Sequence, residues 1–192
     1  MEIIEAVPHE IVNIIARRGR IGLIALATDH VIDHELARLL GDISGVQLYT
    51  TRVSMDAQVS RDSLAAMESR LGPAAATLLP GVPLDVIGYG CTSASLLIGE
   101  DRVQEIIQSQ VDVALVTTPL TAAKRGLAAL GVDKIGYLAP YVSEISNQMC
   151  EELGTAGFAV GVAATFGEGR DSVVGCISPT SILEAITALI DR

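Results

Sequence analysis

The chain has 192 residues with a net charge of −10, from 13 basic and 23 acidic side chains. That balance disfavours a nucleic-acid backbone or an anionic membrane as partner, because both require Lys and Arg gathered on one face. Hydrophobic residues make up 49% but aromatics only 3%, with no Trp, so the core must be built from Ala, Val, Ile and Leu, as in helices packed on a buried parallel sheet. No apolar run reaches the roughly 18 residues of a membrane span. The acidic start, Met1 to Glu10, lacks the basic region of a signal peptide. Three cysteines at unrelated spacings, Cys91, Cys150 and Cys176, suit neither a disulfide framework nor a zinc site. A cytoplasmic location is the expectation.

In chain order, Arg20 to Ala27 is a compact apolar run that predicts a buried strand. Thr28-Asp29 then signals a helix start, with a helical pattern through Leu40. Gly45 to Thr51 predicts a second strand, and Ser60 opens a helix with Leu64, Met67 and Leu71 on one face. Leu84 to Tyr89 predicts a third strand, running into Gly90-Cys91-Thr92-Ser93. A helix over Glu100 to Gln110, a strand over Val113 to Thr117 and a helix over Thr121 to Leu130 follow. Strands alternating with helices at this rhythm call for α/β architecture with a doubly wound parallel sheet.

The chain also resembles itself. Arg20-Ile21-Gly22 and its apolar run recur at Lys134-Ile135-Gly136, 114 residues on. Gly45 with its strand recurs at Gly157, 112 on, and the Ser60 segment recurs at Ser178, 118 on. Two pseudo-symmetric halves are expected, 1–125 carrying Cys91 and 126–192. The same shift carries Cys91 to about position 203–209, beyond Arg192. The second half is therefore expected to be incomplete, as in a fragment or a shortened variant.

Gly88 to Ser95 is the sharpest local feature, because a strand there enters a Gly-framed turn and presents a thiol. Open α/β sheets bind ligands at the carboxyl ends of their strands. Main-chain N–H groups after Cys91 would face a carboxylate or enolate, and their dipoles would favour a thiolate at Cys91. The bland alternative is a buried, inert cysteine. Asp29 stands just after a strand end, as a ligand to a polar substrate group or as a plain helix cap. Thr117 and Thr118 also follow a strand, to hold a carboxylate or to cap a helix, and Tyr141 follows a strand of the second half. His30 and His34 share zinc-like spacing but lack the adjoining Glu and a third ligand, so no metal is expected. Cys150 reads as a packing residue, Cys176 as a residue before a helix start, and Gly167-Glu-Gly-Arg-Asp as a turn.

Tyr89 to Ser95 with Ile98-Gly99, Arg20 to Asp29, Thr51-Arg52 and Leu138 to Tyr141 together resemble the aspartate/glutamate racemase superfamily. Within it the chain is similar to the maleate isomerase and arylmalonate decarboxylase branch, and most to its ectoine-utilisation (EutA) group. The resemblance implies two α/β halves with the active site between them, no cofactor, and catalysis by two facing cysteines. Cys91 matches the first cysteine, Thr92 and Ser93 match carboxylate-binding positions, and Tyr141 matches the tyrosine of the second half. The second cysteine of such proteins sits in an S-C-T or S-C-G turn, and no such motif occurs here. Asp29 and Ser146 stand where maleate isomerases carry Asn.

The expected activity is thus a cofactor-independent, cysteine-based isomerase or racemase of a small carboxylic or amino acid, in ectoine breakdown. The alternatives are a maleate cis–trans isomerase proper, an arylmalonate-type decarboxylase, and a non-catalytic small-acid binding protein. The expected partner is a small carboxylate, with homo-oligomerisation left open.

Overall fold

In a computed structural model, residues 1, 3–12, 15–56 and 60–190 are described. The first sheet consists of β1 (Gly19–Leu26), β2 (Val46–Val53), β3 (Leu84–Tyr89) and β4 (Val113–Thr117). All pairings are parallel, in the order β2-β1-β3-β4. β1 is central, and Leu23, Ile24, Ala25 and Leu26 are at most 4% exposed. A strand covered on both faces needs such a continuous apolar run rather than alternation. Gly22 permits tight packing there, since a Cβ at that position would lie 2.8 Å from Ile87 Cγ1.

The connecting helices are α1 (Ile32–Leu40), α2 (Arg61–Ala75), α3 (Thr92–Ile98), α4 (Glu100–Gln108) and α5 (Pro119–Leu130). A reciprocal capping box between Ser60 and Ser63 starts α2. Its expected apolar face is confirmed, because Leu64, Met67 and Leu71 are fully buried. The helix runs past Leu71, through Gly72-Pro73, because Ala74 and Ala75 still pack into the core. Pro119 sits in the first turn of α5, where its missing N–H costs nothing, so this helix begins two residues before the expected Thr121. Gly131 ends it with a φ of +67°.

The second sheet pairs β5 (Lys134–Ala139) with β6 (Ala159–Thr165), again parallel. α6 (Ser143–Thr155) connects them, and α7 (Asp171–Val174) and α8 (Pro179–Ile190) follow. The β-α-β order of β1, α1 and β2 thus recurs in β5, α6 and β6. A core cluster under the first sheet includes Ile24, Met67, Ile87 and Ile145, and a second includes Leu120, Tyr137, Met149 and Phe158. Tyr141 packs against both, so it joins the two sheets' cores. Among the described residues, no helix is long and apolar enough to cross a membrane.

Candidate active site

The chain leaves β1 towards β2 on one side and reaches β3 on the other, so the strand order reverses between β1 and β3. Connections diverge at such a point and leave a crevice beyond the strand ends, the usual ligand site of open α/β sheets. Asp29 follows β1 and Cys91 follows β3. Both line a cavity of about 250 Å³ at this crevice. The two strand ends are tied together by Gly90 N–H donating to Ile24 O at 2.9 Å. A side chain at Gly90 would lie 2.7 Å from Ile32 Cδ1, so glycine sets how closely α1 approaches the thiol-bearing turn.

Cys91 caps α3, with its Sγ accepting from Ala94 N–H at 3.4 Å and lying 3.7 Å from Ser93 Oγ. Below it, Ser95 Oγ donates to the Cys91 carbonyl at 2.5 Å. The segment after Cys91 is therefore a short helix, where the sequence suggests only a turn. Serine hydroxyls returned to the backbone and a buried Ala94 hold it in place. Thr92 and Ser93 also line the cavity. As residues of the first helical turn, their N–H groups have no intrahelical acceptor.

The protonation expected of Cys91 is corrected. Its side chain is only 3% exposed, and burial pushes the thiol above its ordinary range. The Ala94 N–H and the Ser93 hydroxyl favour the thiolate, but Asp171 opposes them and desolvation dominates. Cys91 rests as a thiol facing a cavity, not as an exposed thiolate.

The far wall comes from the second half. Tyr141, after β5, lines the cavity. Burial holds its phenol up at about 12, against a partial offset from the Thr92 side chain. Asp171, at the start of α7, lines the cavity too and accepts a hydrogen bond from Thr28 Oγ1. Sequence reasoning finds only a turn here, and nothing local marks Asp171, because its partner lies 143 residues away. Val174 and Gly175 of the same segment close the wall, with Gly175 packed so near that a Cβ would sit 2.9 Å from Val31 Cγ2.

Of the residues singled out in the sequence, Cys91, Thr92, Ser93, Asp29 and Tyr141 share the cavity. Asp29 lines the cavity and also holds the start of α1, because its Oδ1 accepts from Val31 N–H at 2.8 Å and Ile32 N–H at 3.0 Å. Thr117 and Thr118 are not among the lining residues. Thr118 is a buried cap of α5, accepting from Thr121 N–H at 3.1 Å. Their place at the cavity is taken by Pro119. His30 lines the cavity rim, with Cys176 Sγ 3.8 Å from its Nε2, whereas His34 is exposed outside it. Cys150 is half-buried beside the second core cluster.

No family model matches the chain. It is 26% identical over 179 residues to the maleate isomerase of Nocardia farcinica, covering 88% of this chain and 70% of the relative. It is 25% identical over 153 residues to that of Pseudomonas putida, covering 73% and 60%. Among solved structures, it is similar to a Cys-to-Ser variant of the Nocardia farcinica maleate cis–trans isomerase with a covalently bound succinylcysteine intermediate. The TM-score is 0.80 at 25% identity, with 89% of this chain and 73% of that one covered. A liganded variant of arylmalonate decarboxylase matches with a TM-score of 0.77 at 16% identity, over 90% of this chain and 72% of that one.

Proposed function

From the fold that this chain shares with maleate isomerase and arylmalonate decarboxylase, we propose a cofactor-independent, cysteine-based isomerase of small carboxylic acids. The observation that carries this reading is the place of Cys91, at the strand-order reversal and inside a cavity lined from both halves. The similarity to maleate isomerases supports the reaction type.

In the addition route, the Cys91 thiol first gives its proton to solvent and takes one back when the cycle closes. Its sulfur then adds to one carbon of a carbon–carbon double bond conjugated to a carboxylate, forming a C–S bond. The π electrons move onto the carboxylate as an enolate, and the former double bond rotates as a single bond. Collapse of the enolate expels the thiolate and restores the double bond in the trans form. Thr92, Ser93 and Tyr141 line the same cavity as the thiol, and the N–H groups of the first two with the Tyr141 hydroxyl are donors for the charge that develops. Burial makes the thiolate scarce, so it also makes it poorly solvated and a stronger nucleophile once formed.

A second reading is racemisation, in which a proton is removed from the carbon beside a carboxylate. Asp29 suits it, since it places a carboxylate at the wall of the cavity that Cys91 also lines. Service in ectoine breakdown belongs with this reading. Incubation in D2O with maleate and, separately, with one enantiomer of a saturated 2-substituted acid separates the two. Fumarate without deuterium is expected from addition, and deuterium at the α carbon of the saturated acid from racemisation. Cys91→Ser is expected to lose activity by about a thousandfold in either case. Full activity in that variant sinks both.

A further inference from the structure

Tyr141 owes its place over Cys91 to how the second sheet seats on the first. Its carbonyl accepts from Ser146 Oγ of α6 at 3.3 Å and from Thr165 Oγ1 of β6. Those bonds fix it among its own elements, not against the thiol. The seat is apolar near the start of α6, where Ile145 enters the core of the first sheet. About two turns further along the same helix it is ionic. There Lys124 of α5 donates to Glu152 of α6, with Nζ 2.6 Å from Oε1, and also to Glu100, the first residue of α4. Thr121 donates to the other oxygen of Glu100, and its hydroxyl lies 3.0 Å from that of Thr118, the α5 cap beside Pro119 of the cavity wall.

The Lys124 side chain is only 20% exposed. Burial weakens its hold on the proton, but the two carboxylates outweigh burial and keep the ammonium above its ordinary range. Among ion pairs between described residues, Lys124–Glu152 alone runs from an element following the first sheet to one of the second. Without the cation, Glu100 and Glu152 would face each other as like charges across that seam. We propose that Lys124 is a positioning residue for the site, holding α6 against α4 so that Tyr141 stays over Cys91. This rests on the reading of the cavity as the reaction site and adds what keeps it closed. A chain lacking the cation keeps its apolar seat and folds, but opens more often at this seam and uncovers the thiol.

Iodoacetamide labelling of Cys91 in the full chain at pH 9, read by mass mapping, measures that opening. Lys124→Met is expected to speed labelling about tenfold, because a covered thiol reacts in proportion to its local opening. Adding Glu152→Gln removes the repulsion together with the cation, and the rate is expected to fall between those of the unaltered chain and the single variant. Lys124→Arg keeps the charge and is expected to stay within about twofold of the unaltered chain. Ser60→Ala weakens the cap of α2, outside this seam, and is expected to leave the Cys91 rate unchanged. An unchanged rate in Lys124→Met, an equal rise in Ser60→Ala, or a double variant faster than the single one overturns the proposal. If the single variant does not fold, the double variant decides, and a rate no higher than that of the unaltered chain overturns it. Labelling needs no turnover, so its outcome stands apart from the reaction assigned to Cys91, which Cys91→Ser decides.

Discussion

Cys91 illustrates how position and environment can pull a side chain in opposite directions. Its place after β3 was legible, because a strand, a glycine and a thiol followed by small hydroxylic residues have a definite address in an open sheet. Its protonation was not legible, since that depends on how completely Tyr141 and Asp171 cover it. The consequence is a pH-dependent reactivity. Cys176 is exposed, while Cys91 is buried with its thiol pushed up. Mass mapping after brief treatment with iodoacetamide at pH 7 is expected to find Cys176 modified well before Cys91. Labelling of Cys91 is expected to rise steadily as pH climbs past about 9, because only the thiolate reacts. Faster labelling of Cys91 than of Cys176 at neutral pH would contradict the burial described above.

Among the elements, those with a long apolar signal were readable and those held by tertiary contacts were not. β3 and β4 match their expected ends because each is a short apolar run bounded by polar or turn residues. α3 escaped notice because its residues are small and hydroxylic, and burial of Ser93, Ala94 and Ser95 supplies what propensity does not. α7 is four residues long and is held from outside by Thr28, so nothing in its own sequence marks it. α2 shows the opposite case, with an apolar face and a cap visible in advance. Leu64→Ala there is expected to cost about 2–5 kcal/mol, through lost burial and the cavity left behind. Ser60→Ala is expected to cost about 1 kcal/mol through the cap. Urea unfolding of each variant measures both, and equal losses would contradict the assignment of the core face.

For the molecule as a whole, buried Cys91, Tyr137 and Tyr141 share one pH response with Tyr89, whose phenol is also pushed up by burial. Cys91 is pushed up from 9.0, and Tyr137 and Tyr141 are each pushed up from 10.0 to about 12. Desolvation is the largest cause in each case. A raised folded value means the folded chain holds its proton to higher pH than the unfolded chain does. The stability this provides is intact below about 9 and is lost as pH rises, for the two tyrosines through about 12. Thermal melts are expected to be flat from pH 7 to about 8.5 and to fall progressively above. Tyr137→Phe is expected to weaken that fall, because its hydroxyl is buried with no well-formed hydrogen bond among the described residues. A melting temperature independent of pH up to 11 would refute this assignment.

The thiol and the residues that enclose it belong to distant stretches of the chain. Cys91 is set in place by β1, β3 and α3, whereas its cover arrives with Tyr141 and Asp171. Chains emerge amino-terminus first during synthesis. The sulfur is therefore open to oxidants and metals throughout the interval before those later residues dock, and the finished fold is what shelters it.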